Sequence, residues 1–304
     1  MSSSEIKKIL IIGGNGFIGS HLANYYESKG DVVHKTTRYF DIVNTEKKNI
    51  SIDYSKDSFL EIFSSHNYDL IFSLSGNPYP AYSENNPQYD IEHTVTPSLN
   101  LLQALKETKF KGSLWYGSSV AVYGDTSLKI QSESDQCNPL SSYALAKLIM
   151  EGYMKIYSSN YNLNCGSFRI FSTFGEGLRR QIVYDIFQKS MNDSEIIELL
   201  GSGSEARDIS YVGDQVMRMS IISENIIPKG DIYNIGSGTS LTTKQIAEKV
   251  IESLNLNKKI VFEDPLRKFD GHQWTASIKK FESVAKNPES NFEDSIKRTL
   301  LSFK

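Results

Sequence analysis

The run Gly13-Gly14-Asn15-Gly16-Phe17-Ile18-Gly19 constrains this chain more than any other, because it follows the apolar stretch Ile9-Leu10-Ile11-Ile12 directly. Ile6–Ile12 reads as a buried strand and Phe17–Ser28 as an amphipathic helix, so Gly13, Gly16 and Gly19 fall in a tight strand-to-helix turn. Without Cβ atoms the backbone there can approach a pyrophosphate closely, and the first helical N–H groups, those of Phe17 and Ile18, point at its charge. An ordinary glycine-rich turn is the competing reading. The strand–turn–helix context favours a dinucleotide site.

Further strand signals at Val32–Thr37, Asp69–Leu74, Ser113–Ser118 and Leu163–Ile170 alternate with helical spacing at Asp57–Ser64, Ile91–Thr108 and Ser142–Tyr161. This βαβ alternation predicts an α/β fold, a Rossmann-type doubly wound parallel sheet with helices on both faces. After about residue 171 the pattern loosens into helices at Leu178–Lys189, Val212–Ser223 and Thr243–Leu254, with short strands at Ile196–Leu199, Asp231–Ile235 and Ile260–Glu263. The expected division is a dinucleotide-binding domain over 1–171, to which a stretch of about 204–238 partly returns. A smaller C-terminal α/β lobe, mainly 172–304, would bind substrate in the cleft.

Charge and composition narrow the partners. The net charge is −3, from 33 basic and 36 acidic residues, so nothing electrostatic calls for nucleic acid or an anionic membrane. No window approaches a membrane span, and no signal-peptide core precedes the first strand. Cys137 and Cys165 are too few for a disulfide framework and read as reduced thiols of a cytoplasmic protein. His21, His34, His66, His93 and His272 show no ligand spacing, and no metal is expected.

Ser118-Ser119-Val120-Ala121-Val122-Tyr123-Gly124 closes a strand, where open α/β sheets place their ligands. Tyr143 and Lys147 follow, four residues apart and therefore on one helix face. An ammonium beside a phenol stabilises phenolate and lowers its pKa toward working pH. Ser119 could then hold a substrate oxygen while Tyr143 exchanges its proton and a nicotinamide exchanges hydride with the same carbon. A chance pair on a solvated helix is the alternative, and the glycine turn argues against it.

These motifs together resemble the extended short-chain dehydrogenases/reductases, which include nucleotide-sugar epimerases, 4,6-dehydratases and 4-ketoreductases. The likeness runs through Gly13–Gly19, Ser118–Gly124, Tyr143-x-x-x-Lys147, Arg207-Asp208-Ile209-Ser210-Tyr211 and Tyr233-Asn234-Ile235-Gly236. It implies a nucleotide-diphosphate sugar as substrate and a homodimer built on the helices that begin near Ile91 and Ser142. It also implies cofactor contacts at Asp53, Tyr54, Leu74, Ser75 and Gly76, and substrate contacts at Ser119, Val120, Ser172 and Arg207. Arg207 is the expected phosphate contact, with an internal salt bridge as its alternative.

Departures from the pattern refine the expectation. Val120 and Ala121 stand where the dehydratases carry Asp-Glu, so dehydration is disfavoured. Thr37-Arg38 stands where NAD-binding members carry an Asp, which favours NADP over NAD unless Arg38 merely covers the adenine. Ser73-Leu74-Ser75-Gly76 stands where the family usually has His-Leu-Ala-Ala, Thr94 and Ser172 stand where many members have Asn, and Asp270-Gly271-His272 resembles a scrambled version of the family's Gly-Asp near the nucleotide end. The resulting expectation is NADPH-dependent reduction of a nucleotide-4-keto-sugar. An NAD-dependent 4-epimerase, a 4-dehydrogenase and a non-catalytic cofactor-binding protein follow in that order.

Overall fold

The computed structural model describes residues 5–37, 49–77, 80–125, 130–263 and 273–304. It divides into two compact units. The first comprises the described residues up to 122 together with 139–169 and 220–233, and the second comprises 123–138, 170–219 and 234–304. The segment that returns to the first unit is thus 220–233, while 123–138 belongs with the second.

A seven-stranded sheet runs in the order Ile232–Ile235, Asn164–Ile170, Ser113–Ser119, Leu70–Ser73, Lys8–Ile12, Val32–Thr37, Asn49–Ser51. Lys8–Ile12 pairs in parallel with strands on both sides, Ile9 opposite Val33 and opposite Leu70. The parallel register continues with Leu70 opposite Ser113. This is the doubly wound Rossmann sheet that the alternation predicts. Strand order reverses between Lys8–Ile12 and Leu70–Ser73, and open sheets bind ligands beyond the carboxyl ends at such a point. The core of this unit includes Leu10, Ile12, Ile71, Leu102, Leu114 and Met150, all essentially inaccessible to water.

Two elements depart from expectation for local reasons. Ile91–Thr108 is not one uniform helix: Ile91–Val95 is π-helical, and Thr96–Glu107 continues as α-helix. Pro97 sits in the first turn and has no N–H to give, and the Thr96 N–H reaches back five residues to the Ile91 carbonyl. The helix expected from Leu178 begins instead at Gln181, because Arg180 is extended and Gln181 has φ +66°.

In the second unit, Ser172–Phe174 pairs with Ile209–Tyr211, and Ile196–Leu200 with Lys259–Glu263, both in parallel. A terminal helix that the sequence reading omits, Phe292–Leu301, is capped by Asn291 and buries Ile296 and Leu300 against Ile246 and Val250. Among the described residues, no helix is long and apolar enough to cross a membrane, and no group of three His, Cys, Asp or Glu could hold a metal ion. Both cysteines are free.

Candidate active site

The glycine turn is built as its chemistry requires. Gly13 has φ +82°, and a Cβ there would lie 2.8 Å from the Ser75 backbone nitrogen. Its N–H donates to Thr36 Oγ1 at 3.3 Å, and the Gly16 N–H donates to the Gly13 carbonyl at 3.0 Å. A Cβ on Gly19 would collide with that same carbonyl, so this glycine lets the helix pack onto the turn. Gly16 caps the Phe17–Ser28 helix without any side-chain acceptor, which leaves its first N–H groups for an anion. A dinucleotide pyrophosphate would fit this cradle, and Gly13, Gly16, Phe17, Ile18 and Gly19 are the residues that would hold it.

Leu74, Ser75 and Gly76 continue the neighbouring strand, anchored by the Leu74 N–H on the Ile12 carbonyl at 2.8 Å. Gly76, at φ +148°, leaves room where a Cβ would sit 3.1 Å from Thr94 Oγ1 and 3.5 Å from Lys147 Nζ. Asp53 is exposed, and its Oδ1 accepts from the Ser55 N–H at 2.8 Å and the Ser58 hydroxyl at 2.5 Å. Bonds from Ser55 and then Ser58 hold its carboxyl down at about 2, so it is ionised at any working pH. The Tyr54 ring is buried in the core, its hydroxyl 3.5 Å from Thr36 Oγ1. Thr37 ends its strand half-buried, whereas Arg38 and Asp270-Gly271-His272 lie outside the described residues.

Tyr143, Lys147 and Glu151 lie at successive i, i+4 positions of the Ser142–Tyr161 helix. The Ser141 hydroxyl caps its start by accepting from the Ala144 N–H at 3.2 Å, and Asn162 in the left-handed region ends it. Lys147 is buried, and its Nζ donates to the Gly117 carbonyl at 2.7 Å. It also lies 5.8 Å from the Tyr143 ring centre and 4.9 Å from that of Tyr116. Burial lowers its pKa to about 8, an effect opposed by the charge of Asp90. Ser119 ends its strand half-buried, and its Oγ accepts from the Ala121 N–H at 3.2 Å. The hydroxyl proton can still polarise a substrate oxygen. Val120 is buried, so its side chain packs inward.

Beneath these groups lies a buried ion pair that the sequence reading does not contain. Arg169 Nη2 and Glu151 Oε2 are 2.7 Å apart, each side chain under 5 % exposed, and Ser118 donates to Glu151 Oε1 at 2.5 Å. The network joins the strand that ends at Ser119 to the helix that carries Tyr143 and Lys147. Breaking one side of such a pair typically costs about 3–5 kcal/mol, since the other charge stays buried. An Arg inside the apolar run Ser167-Phe168-Arg169-Ile170 was its one visible signal.

In the second unit, Arg207 forms a short strand with Ala206, its guanidinium 6.0 Å from the Trp274 ring centre. Asp208 has a different task. Its carboxylate accepts from Ser237 N at 2.8 Å, Ser237 Oγ at 2.7 Å, Gly238 N at 2.9 Å and Ala276 N at 3.1 Å. Tyr123 donates to Asn234 Oδ1 at 2.7 Å, which ties the Val-Tyr-Gly and Tyr-Asn-Ile-Gly segments together. Ser172 is half-buried on its strand opposite Ile209.

The chain has known relatives. Residues 9–236 match the family described as the NAD dependent epimerase/dehydratase family. The chain is 29 % identical over 273 residues to a dTDP-4-dehydro-6-deoxyglucose reductase of Escherichia coli, covering 85 % of each chain. It is 27 % identical over 310 residues to a UDP-glucuronate 4-epimerase of Thermodesulfobacterium geofontis, covering 96 % of this chain and 94 % of that one. The UDP-glucose 4-epimerase of Thermus thermophilus, solved in complex with NAD, shares the fold with a TM-score of 0.87 at 23 % identity, over 97 % of this chain and 98 % of that one. The chain belongs to the NAD dependent epimerase/dehydratase family, within the extended short-chain dehydrogenases/reductases that act on nucleotide sugars. It is an NAD(P)-dependent enzyme of that class.

Proposed function

We propose that the chain inverts C4 of a nucleotide-diphosphate sugar as an NAD-dependent 4-epimerase. The observation that carries this is the grouping of Tyr143 and Lys147 on one helix face, with Ser119 at the end of the Ser113–Ser119 strand. Tyr143, as phenolate, takes the C4 hydroxyl proton while C4 loses hydride. Lys147 holds its charge beside that phenolate, and Ser119 Oγ donates to the forming carbonyl oxygen. The nicotinamide ring, when bound, supplies the hydride acceptor and donor. Tyr143 returns its proton to the same oxygen once the keto sugar has turned its other face. Val120 and Ala121 carry no proton to give or take, so these two positions offer no acid–base pair for dehydration.

The sequence alone leans toward an NADPH-dependent 4-ketoreductase. The family match and the UDP-glucuronate 4-epimerase relative support the epimerase better. The reductase stays as the second reading on a specific observation: Thr37, with no carboxylate, ends the Val32–Thr37 strand. The reductase relative from E. coli points the same way. Arg207 is our proposed contact for the substrate diphosphate, and Ser119, Val120 and Ser172 are our other proposed substrate contacts. We also propose a homodimer, since Leu145, Ile156 and Tyr161 are exposed on the Ser142–Tyr161 helix, and light scattering would test it.

The deciding experiment is mass spectrometry of the dinucleotide released from the purified, denatured protein, followed by incubation with UDP- and dTDP-hexoses. Retained NAD and a C4 epimer formed without net reduction support the epimerase. An empty site that prefers NADPH and reduces 4-keto sugars supports the reductase. Neither cofactor bound, with no exchange at C4, overturns both.

A further inference from the structure

We propose that Asp90 is a positioning residue for the catalytic pair, a buried carboxylate that keeps Lys147 in its charged form. The inference rests on reading Tyr143 and Lys147 as that pair. Asp90 is 1 % exposed, at the end of the Gln88–Asp90 turn, and the π-helical turn Ile91–Val95 follows it. Its Oδ1 accepts from Asn77 Nδ2 at 2.9 Å, whereas its buried Oδ2 has no hydrogen-bond partner among the described residues. A carboxylate oxygen in that position is unfavourable unless a cation compensates it.

The Gln88–Asp90 turn packs on the Ser142–Tyr161 helix, which carries the buried cation Lys147. The Asn77 N–H donates to Thr94 Oγ1 at 3.1 Å, and the space over Gly76 separates that oxygen from Lys147 Nζ. The turn carrying Thr94 packs on the Ser142–Tyr161 helix, and the Asp90 charge raises the proton affinity of Lys147 against the effect of burial. The other titratable groups facing Lys147 cannot take this role. Glu151, on the same helix, is committed to Arg169 and Ser118. Tyr116, on the Ser113–Ser119 strand, is held neutral by burial, with the charges of Glu151 and Asp90 adding to that effect. Tyr143 is the group that Lys147 serves. Asp90 is therefore the one buried carboxylate facing Lys147 without an ion-pair partner among the described residues. Its removal would leave burial unopposed, and Lys147 would lose its proton within the working range.

The test follows Lys147 itself and needs no substrate. Lysine labelled with 13C at Cε is titrated by NMR, the Lys147 signal being assigned by its absence in Lys147→Met. The wild-type midpoint near 8 should fall by about 1 pH unit or more in Asp90→Asn and stay within a few tenths of a unit in Asp90→Glu. The alkaline limb of turnover should move down with it. An unmoved midpoint in Asp90→Asn overturns the proposal. If that variant fails to fold, Asp90→Ser carries the same titration. Failure of both to fold assigns Asp90 to the stability of its segment and also overturns the proposal. A protein that turns over no nucleotide sugar, yet shows the shifted midpoint, would refute the proposed reaction while leaving Asp90 as the group that keeps Lys147 charged.

Discussion

Tyr143-x-x-x-Lys147 in the first unit and Arg207-Asp208 in the second are equally plain in the sequence, and the structure uses them in opposite ways. Lys147 Nζ gives one hydrogen bond to a backbone carbonyl and lies beside the Tyr143 ring. Asp208 is buried, and its two oxygens accept from four donors on two other segments. In one motif two side chains lie together on one helix face, and in the other the acid is consumed in holding the chain. Spacing puts a polar group on a face. Whether it is still available depends on neighbours that spacing does not reveal.

The comparison breaks most visibly at Tyr143. Tyr143→Phe should lower turnover about 10³-fold, roughly 4 kcal/mol of barrier, with the unfolding midpoint unchanged. A variant that unfolds early would move Tyr143 into the structural class. Asp208→Ala should do the reverse. It strands buried donors and should cost about 3 kcal/mol in denaturant unfolding, since the carboxylate is charged and multiply bonded. If stability is unchanged, the second motif does not staple the fold.

Lys147→Met separates function from stability at a single residue. Burial lowers the Lys147 pKa from 10.5 to about 8. Because the unfolded chain then binds this proton more tightly, the charged lysine destabilises the fold fully below pH 8. The penalty fades between 8 and 10.5 and vanishes above. Met removes that penalty but also the bond to Gly117, so the net gain at pH 7 should be about 1–2 kcal/mol, while turnover collapses. Unfolding curves at pH 7 and 10.5 check it: the gain should be present at the first and absent at the second.

What could be read beforehand follows from locality. Gly13, Gly16 and Gly19 announce themselves because a turn without Cβ atoms is needed within seven residues. The Ser142–Tyr161 helix is visible because its period and its Ser141 cap are local. Glu151 and Arg169 are 18 residues apart on different elements, and Tyr123 and Asn234 are 111 apart. Each such residue looks ordinary until the fold supplies its partner. Asp90 is the extreme case, lying just after the polar run Glu84-Asn85-Asn86-Pro87-Gln88, which reads as a solvated loop. Tyr54 shows the converse: it sits beside the expected adenine contact Asp53, yet its ring belongs to the core.

The smallest expected effect sharpens the comparison furthest, because Arg207 adjoins Asp208 and need not share its fate. Its guanidinium lies 6.0 Å from the Trp274 ring centre, and the planar fork of a guanidinium suits bidentate contact with a phosphate. Arg207→Lys keeps the charge and removes the planar fork. As the substrate-diphosphate contact, this variant should raise KM about tenfold, near 1.4 kcal/mol, with kcat unchanged, because the contact is equal in ground and transition states. Its unfolding curve should overlay the wild type. A stability loss like that of Asp208→Ala, with KM unmoved, would make Arg207 a second staple. The whole Arg-Asp motif would then serve the fold, and the search for the phosphate contact would turn to Arg179 and Arg180, ahead of the Gln181–Ser190 helix.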